Sequence, residues 1–323
     1  MTSLVSRLVG SHDPRVQAVV DRVGRLRDRL DHPQLRDVRR LRQGTPDVLY
    51  VGESVLTFVG PHDKDQRTLP TMLADELGLG PKLLALHGGG YHADLLAAYL
   101  EVAATLSHRP KVLVLPLWVR GRFLPWIEHP RFGHVDVLRR LAELRPSDSG
   151  PRGSLRRASP AEFEAYYDRP HVTLAGDLTV GDYARPLKAR SLPSEQALRL
   201  LYAFHHGARL EAGGPALDAV TRLGAAAKAL GCPVVAYETP LSVETGERVL
   251  GPEFRAVVEH NFAVMRAAFV AGAGEQSEIL KTGMSFAEAE FIDPTDGSEH
   301  LGEGGRRRLA ALLADAVRAQ YGS

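Results

Sequence analysis

From Asp47 onward the chain alternates short apolar runs with longer amphipathic stretches, and this rhythm limits the fold more than any other feature. DVLYVG (47–52), KLLALH (82–87) and KVLVLPLW (111–118) read as strands, while TLPTMLADELG (68–78) and YHADLLAAYLEVAATL (91–106) read as the helices between them. Strands that alternate with helices in this way predict a parallel sheet covered on both faces. The same rhythm returns with helices over 194–207 and 216–231, the strand PVVAYETP (233–240), a helix over 252–270, a short strand near 285–292 and a terminal helix over 302–320. The expected class is therefore α/β, a doubly wound parallel sheet.

Two segments stand outside the rhythm. Residues 119–194 carry RGRF, PRFGH, RPSDSGPRGSLRRASP and YYDRPHV, and are read as a partly helical, cap-like insertion over one end of the sheet. Residues 1–45 form an N-terminal helical segment, in which Asp13 and Pro14 suit a helix start and Val16, Val19, Val20, Val23, Leu26 and Leu30 recur at helical spacing. The length of 323 residues would allow two domains, but the pattern assigns 46–323 to one α/β domain with its insertion.

Composition bears on the compartment and on charge. A single cysteine, Cys232, excludes an internal disulfide and points to a reducing cytoplasm. The start MTSLVSRLVGSHDPRVQ lacks the apolar core of a signal peptide, and no run approaches the roughly 20 apolar residues of a membrane span. A cytoplasmic protein with no membrane association is expected. There are 34 arginines and only 6 lysines, with ten arginines against five aspartates in residues 1–45. A GC-rich coding bias explains such a surplus; anion recognition by guanidinium forks is the functional alternative.

In an open parallel sheet, ligands bind beyond the carboxyl ends of the strands. Those positions hold Gly52-Glu53-Ser54, His87-Gly88-Gly89-Gly90, Trp118-Val119-Arg120 and Glu238-Thr239-Pro240, and the loop DPTDGSEHLGEGG precedes the last helix. A serine in a strand-to-helix turn, with Asp296 and His300 in a distant loop, has the makings of a hydrolytic triad. Serine attacks at neutral pH only when an imidazole takes its proton and a carboxylate fixes the imidazole tautomer.

VLYVGESVL, PVVAYETPLSVETGERVLGPEFRAVVEHN and DGSEHLGEGGRRRLAALLADAV, in that order, resemble blocks of the SGNH, or GDSL-like, hydrolase superfamily of serine esterases and O-acyltransferases. The resemblance spans roughly 46–320, with the insertion outside it. It implies a flavodoxin-like sheet of SGNH-hydrolase type, Ser54 as nucleophile, His300 as general base and Asp296 as its orienting carboxylate. It further implies an oxyanion hole made by the N–H of Ser54 and an N–H of Gly88, Gly89 or Gly90. Three glycines also serve simply to allow a tight turn. Glu53, His87, Trp118 and Arg120 are the substrate-binding candidates.

Two departures from the family pattern matter. LPLWVRGRF offers Trp118 and Arg120 where the family presents an oxyanion-hole asparagine, so Arg120 is read as a replacement donor, an anionic-substrate contact or an ion-paired side chain. Asp296 lies one residue farther from His300 than the family spacing, which makes Asp293 a rival, with Glu299 adjacent but turned away. His92, and the neighbours His205 and His206, are weaker candidates, and Cys232 is expected to be a buried, inert thiol. No metal or cofactor is expected. The leading reading is acyl transfer at an O-ester through a Ser54 acyl-enzyme, with a small-molecule acyl donor and a hydroxyl acceptor. The alternatives are a transferase using an anionic donor, such as a thioester carrier or aminoacyl-tRNA, and a non-catalytic SGNH-like binding domain.

Overall fold

The computed structural model describes residues 40–87, 93–120, 135–144, 159–189, 193–274, 277–292 and 299–321. The N-terminal helix expected over 13–30 lies outside them. The main sheet holds β1 (Val48–Gly52), β2 (Leu83–His87), β3 (Val112–Leu117), β6 (Val234–Glu238) and β7 (Glu278–Leu280). Its order is β2-β1-β3-β6-β7, and every pair is parallel.

The sequence dictates this arrangement through side chains that alternate between two apolar layers. Val48, Tyr50, Val112, Val114, Val235 and Tyr237 enter one layer, while Leu49, Val51, Leu113, Leu115, Leu117 and Ala236 enter the other. A strand that is apolar on both faces is stable only when both are covered, which is the condition that parallel sheets meet. The first layer is closed by α1 (Leu69–Glu76) and α10 (Glu303–Tyr321), and the second by α2 (Ala93–Ala103), α7 (Pro215–Leu230) and α9 (Glu253–Ala273). Each fully buried Val or Leu stabilises the fold by about 1.5–3 kcal/mol before entropy is counted.

In the second layer α7 and α9 approach until their backbones touch. A Cβ on Gly272 would lie 1.9 Å from the Thr221 carbonyl oxygen, and one on Gly224 would lie 2.3 Å from that of Phe269. The expected boundaries of α2, α7, α10 and the first three strands agree with these elements to within a few residues.

Two elements differ from expectation. No strand runs over 285–292; that stretch holds a 3-10 turn at Glu288–Glu290 and a single antiparallel bridge between Phe291 and Leu301. Phe286 and Phe291 are both buried, which gave the segment its apolar look, but the main-sheet strand is Glu278–Leu280, too short to carry a pattern. A helix α8 (Val243–Leu250) precedes α9 although Thr245 and Gly246 are poor helix formers. It is anchored where the Thr245 hydroxyl donates to Glu288 Oε1 at 2.7 Å and Ser242 Oγ meets Thr245 Oγ1 at 2.7 Å.

Within the insertion lie α3 (Val135–Glu143), α4 (Pro160–Tyr167), the hairpin β4 (His171–Thr173) to β5 (Gly176–Leu178), and α5 (Val180–Ala189); α6 (Ser194–His206) follows. Tyr183 of α5 stacks on Phe204 of α6 with ring centroids 4.1 Å apart, joining the insertion to the body.

Candidate functional site

β1 stops at Gly52, and the chain tightens at once into a 3-10 turn at Ser54–Leu56. A side chain at position 52 would crowd Leu56, since a Cβ there would sit 3.0 Å from Leu56 Cγ. The Ser54 carbonyl accepts the N–H groups of Thr57 at 2.9 Å and Phe58 at 2.8 Å, which fixes Ser54 at the head of the turn. The first N–H groups of such a turn have no acceptor inside it and face outward. Ser54 thus lies beyond the carboxyl end of β1, at the β1/β3 position where the strand order reverses.

His300 arrives from the other end of the sequence. Its backbone is set by the Phe291–Leu301 bridge, with Ile292 N–H donating to the His300 carbonyl at 3.0 Å and Gly302 N–H donating to that of Glu290 at 2.8 Å. The imidazole Nε2 lies 3.1 Å from Ser54 Oγ. In the tautomer with Nε2 unprotonated, the hydroxyl donates to it, which is the arrangement a general base requires. Phe58 stacks on the imidazole, with centroids 4.1 Å apart and planes 3° from parallel.

A polar strap holds the two halves together. Arg306, only 2% exposed, donates to Asp63 Oδ2 at 2.5 Å, to the Asp65 carbonyl at 2.8 Å and to the Leu301 carbonyl at 3.2 Å. Glu303 Oε2 accepts the N–H groups of Lys64 and Asp65, each at 3.0 Å. The loop that follows Phe58 is therefore bound to the helix that follows His300. Burial would raise the Asp63 carboxyl pKa, but the Arg306 hydrogen bond and charge and the Gly60 and Glu303 amides together hold it below the usual value.

Behind this corner is a second cluster. Glu299 is 1% exposed, and its Oε2 lies 3.9 Å from Arg120 Nη1. Arg120 Nη2 also approaches His205 Nε2 at 3.5 Å, and the Tyr183 hydroxyl lies 2.9 Å from that same nitrogen. Tyr50 and Tyr237 share a buried hydrogen bond of 2.7 Å. Burial raises the Tyr237 pKa, the Tyr50 hydrogen bond lowers it, and the charges of Glu299 and Glu53 raise it.

Burial, and then the charge of Arg120, push the pKa values of His205 and His206 well below the ordinary imidazole value. The unfolded chain, with imidazoles near pKa 6.5, takes up protons that the native fold refuses. This stabilisation is complete above pH about 6.5 and is lost as pH falls below it, by about 1.4 kcal/mol per pH unit for each histidine. Urea unfolding is expected to show a free energy that is level from pH 7.5 to about 6.5 and falls steadily from there to pH 5; a flat profile below pH 6.5 would contradict the neutral assignment.

The structure brings Ser54 and His300 together as the sequence suggests. Gly88, Gly89, Gly90, His92, Asp293 and Asp296 lie outside the described residues. Trp118 is 1% exposed and enclosed in the second apolar layer, so its indole is part of the core. Glu53, immediately before the turn, is 2% exposed. His87 is partly buried at the end of β2, level with Gly52. Arg120 takes the ion-paired state, and Glu299 faces it. Glu238 is structural: it pairs with Arg266, and its Oε2 accepts the Gly283 N–H at 3.2 Å. The Cys232 thiol pKa is pushed up to about 11 by burial, consistent with an inert side chain. Among the described residues, no group of three His, Cys, Asp or Glu side chains is placed to hold a metal ion. No helix among them is long and apolar enough to cross a membrane.

Phe58, Tyr183, Asp63 and Arg306 are the site residues that the sequence did not single out. Against known proteins, no family model matches the chain and no curated protein matches it.

Proposed function

We propose that the chain is an SGNH-type serine enzyme that transfers an acyl group from an O-ester to an acceptor hydroxyl or to water. The observation that carries this reading is the 3.1 Å contact of Ser54 Oγ with His300 Nε2, between residues 246 positions apart, at the carboxyl edge of a parallel sheet. Few structural needs bring a hydroxyl and a histidine together at such a place, whereas nucleophilic catalysis needs both.

In the proposed reaction Ser54 Oγ attacks the ester carbonyl carbon while its proton passes to His300 Nε2. The carbonyl electron pair moves onto oxygen, where the outward N–H of Ser54 and an N–H of the Gly88–Gly90 turn are the expected donors. As the carbonyl re-forms, the alcohol leaves with the proton from His300, and the acyl group stays on Ser54. The acceptor hydroxyl then gives its proton to His300 and attacks the acyl carbon; as the carbonyl re-forms, Ser54 Oγ leaves and takes that proton back from His300. Asp296, with Asp293 as its rival, has the expected role of orienting His300 through Nδ1. Arg120 has its charge answered by Glu299 within the fold, and so gives no support to an anionic donor.

Treatment with a fluorophosphonate, followed by peptide mapping, tests the reading. A single adduct on Ser54, absent in Ser54→Ala, is expected. Folded protein that takes up no probe would favour the non-catalytic binding domain.

A further inference from the structure

We propose that Phe58 is a positioning residue that sets the basicity of His300 by stabilising its charged form. The inference rests on the reading of Ser54 and His300 as nucleophile and base. When Ser54 Oγ bonds to the acyl carbon, its proton moves to His300 Nε2 and the ring becomes an imidazolium. The face of an aromatic ring carries negative charge density and attracts a cation within about 6 Å. Phe58 lies at 4.1 Å, its plane 3° from that of the imidazole, so its face looks directly onto the ring that gains the charge. The attraction is weak for neutral imidazole and strong for imidazolium. It therefore acts chiefly in the transition state, which is the condition for accelerating the chemical step.

One backbone and one side-chain contact fix this stack. Phe58 N–H donates to the Ser54 carbonyl at 2.8 Å, which ties the ring to the nucleophile's own turn. Asp63 and Arg306 tie the same loop to the helix after His300. Both the ring and the imidazole are partly shielded from water, where such an attraction is strongest. The other charged groups at this corner are Glu53 beside Ser54, Glu299 with Arg120 opposite it, and the Asp63–Arg306 pair, and a substitution of Phe58 removes none of them. Asp293 and Asp296 also remain in the chain.

Leucine at position 58 keeps apolar cover over His300 but removes the π face, while tyrosine keeps the face. The His300 pKa is read by NMR titration, with its signal assigned by loss in His300→Ala. The pH dependence of Ser54 labelling by a fluorophosphonate is measured alongside. Phe58→Leu is expected to lower the His300 pKa by about 0.5–1.5 units. The acidic limb of the labelling profile is expected to move to lower pH by the same amount, and the plateau rate to fall about three- to thirty-fold. Phe58→Tyr is expected to keep both near the wild-type values. A purely structural role would lower the plateau without moving the limb, and an unmoved His300 pKa in Phe58→Leu would overturn the proposal. A wild-type protein that is not labelled, but whose His300 pKa falls in Phe58→Leu, would overturn the acyl-transfer reading while sustaining the electrostatic contact.

Discussion

Replacing His300 with alanine is expected to slow the labelling of Ser54 by about four to six orders of magnitude, comparable to the loss from removing a base in established serine enzymes. The reason, on the proposed reading, is the ionisation of Ser54. A lone serine hydroxyl holds its proton at any pH the protein survives, and the only described base in contact with Ser54 Oγ is Nε2 of His300 at 3.1 Å. Stopped-flow or quenched labelling of folded protein, with thermal unfolding measured in parallel, separates a lost base from a lost fold. The imidazole is 9% exposed and sits in a loop rather than in an apolar layer, so stability is expected to change little. If His300→Ala is labelled at the wild-type rate, the Ser54 contact has no part in activating the hydroxyl.

Arg306→Ala is expected to destabilise the protein by about 3–5 kcal/mol in urea unfolding. The guanidinium is almost fully enclosed, and it satisfies a carboxylate and two backbone carbonyls at once. Its removal leaves Asp63 charged, with 15% of its side chain exposed and its main partner gone. The double substitution Asp63→Asn with Arg306→Met removes both charges, and is expected to recover part of the loss. The pH dependence has a definite sign. The folded pKa of Asp63 is depressed, so the pair's contribution is present above the unfolded carboxyl value near 4 and disappears as pH falls through the lower folded value. A loss under about 1 kcal/mol for Arg306→Ala would mean that the strap is solvated and replaceable.

Much of the architecture was legible because long apolar runs leave the backbone few options. VLYVG and VLVLPL can bury both faces only in a covered parallel sheet, and they do so, while LLALH, at the sheet edge, is fully buried on one face and partly on the other. The contact of Ser54 with His300 was suggested by the place of the serine after a strand, by a histidine in the loop before the last helix, and by the resemblance of both surroundings. The residues around them were not. Phe58 looks like one more apolar side chain after a turn, and nothing local tells that it will meet a histidine from the far end of the chain. Arg306 belongs to GRRRL, which reads as a solvated helix face, yet Arg307 and Arg308 are outward and Arg306 is enclosed. His205 and His206 are weak candidates in the sequence because neighbours on a helix cannot share a face. That argument excludes a shared ligand, but it does not exclude burial of both where α6 is surrounded.

Ser54 and His300 are 246 positions apart along the chain, so their contact depends on the docking of two distant segments. One partner is fixed within β1 and its turn, near the middle of the sheet, while the other is held by the bridge at Leu301 and by α10, packed against α1. Contacts between distant segments form late in folding, because loop closure must be achieved before they stabilise anything. The Ser54–His300 contact is therefore absent from any intermediate in which α10 has yet to dock, whatever the state of the rest of the sheet. On the proposed reading, reactivity of the serine is expected to report completion of the fold, and a partly assembled chain is expected to take up no fluorophosphonate.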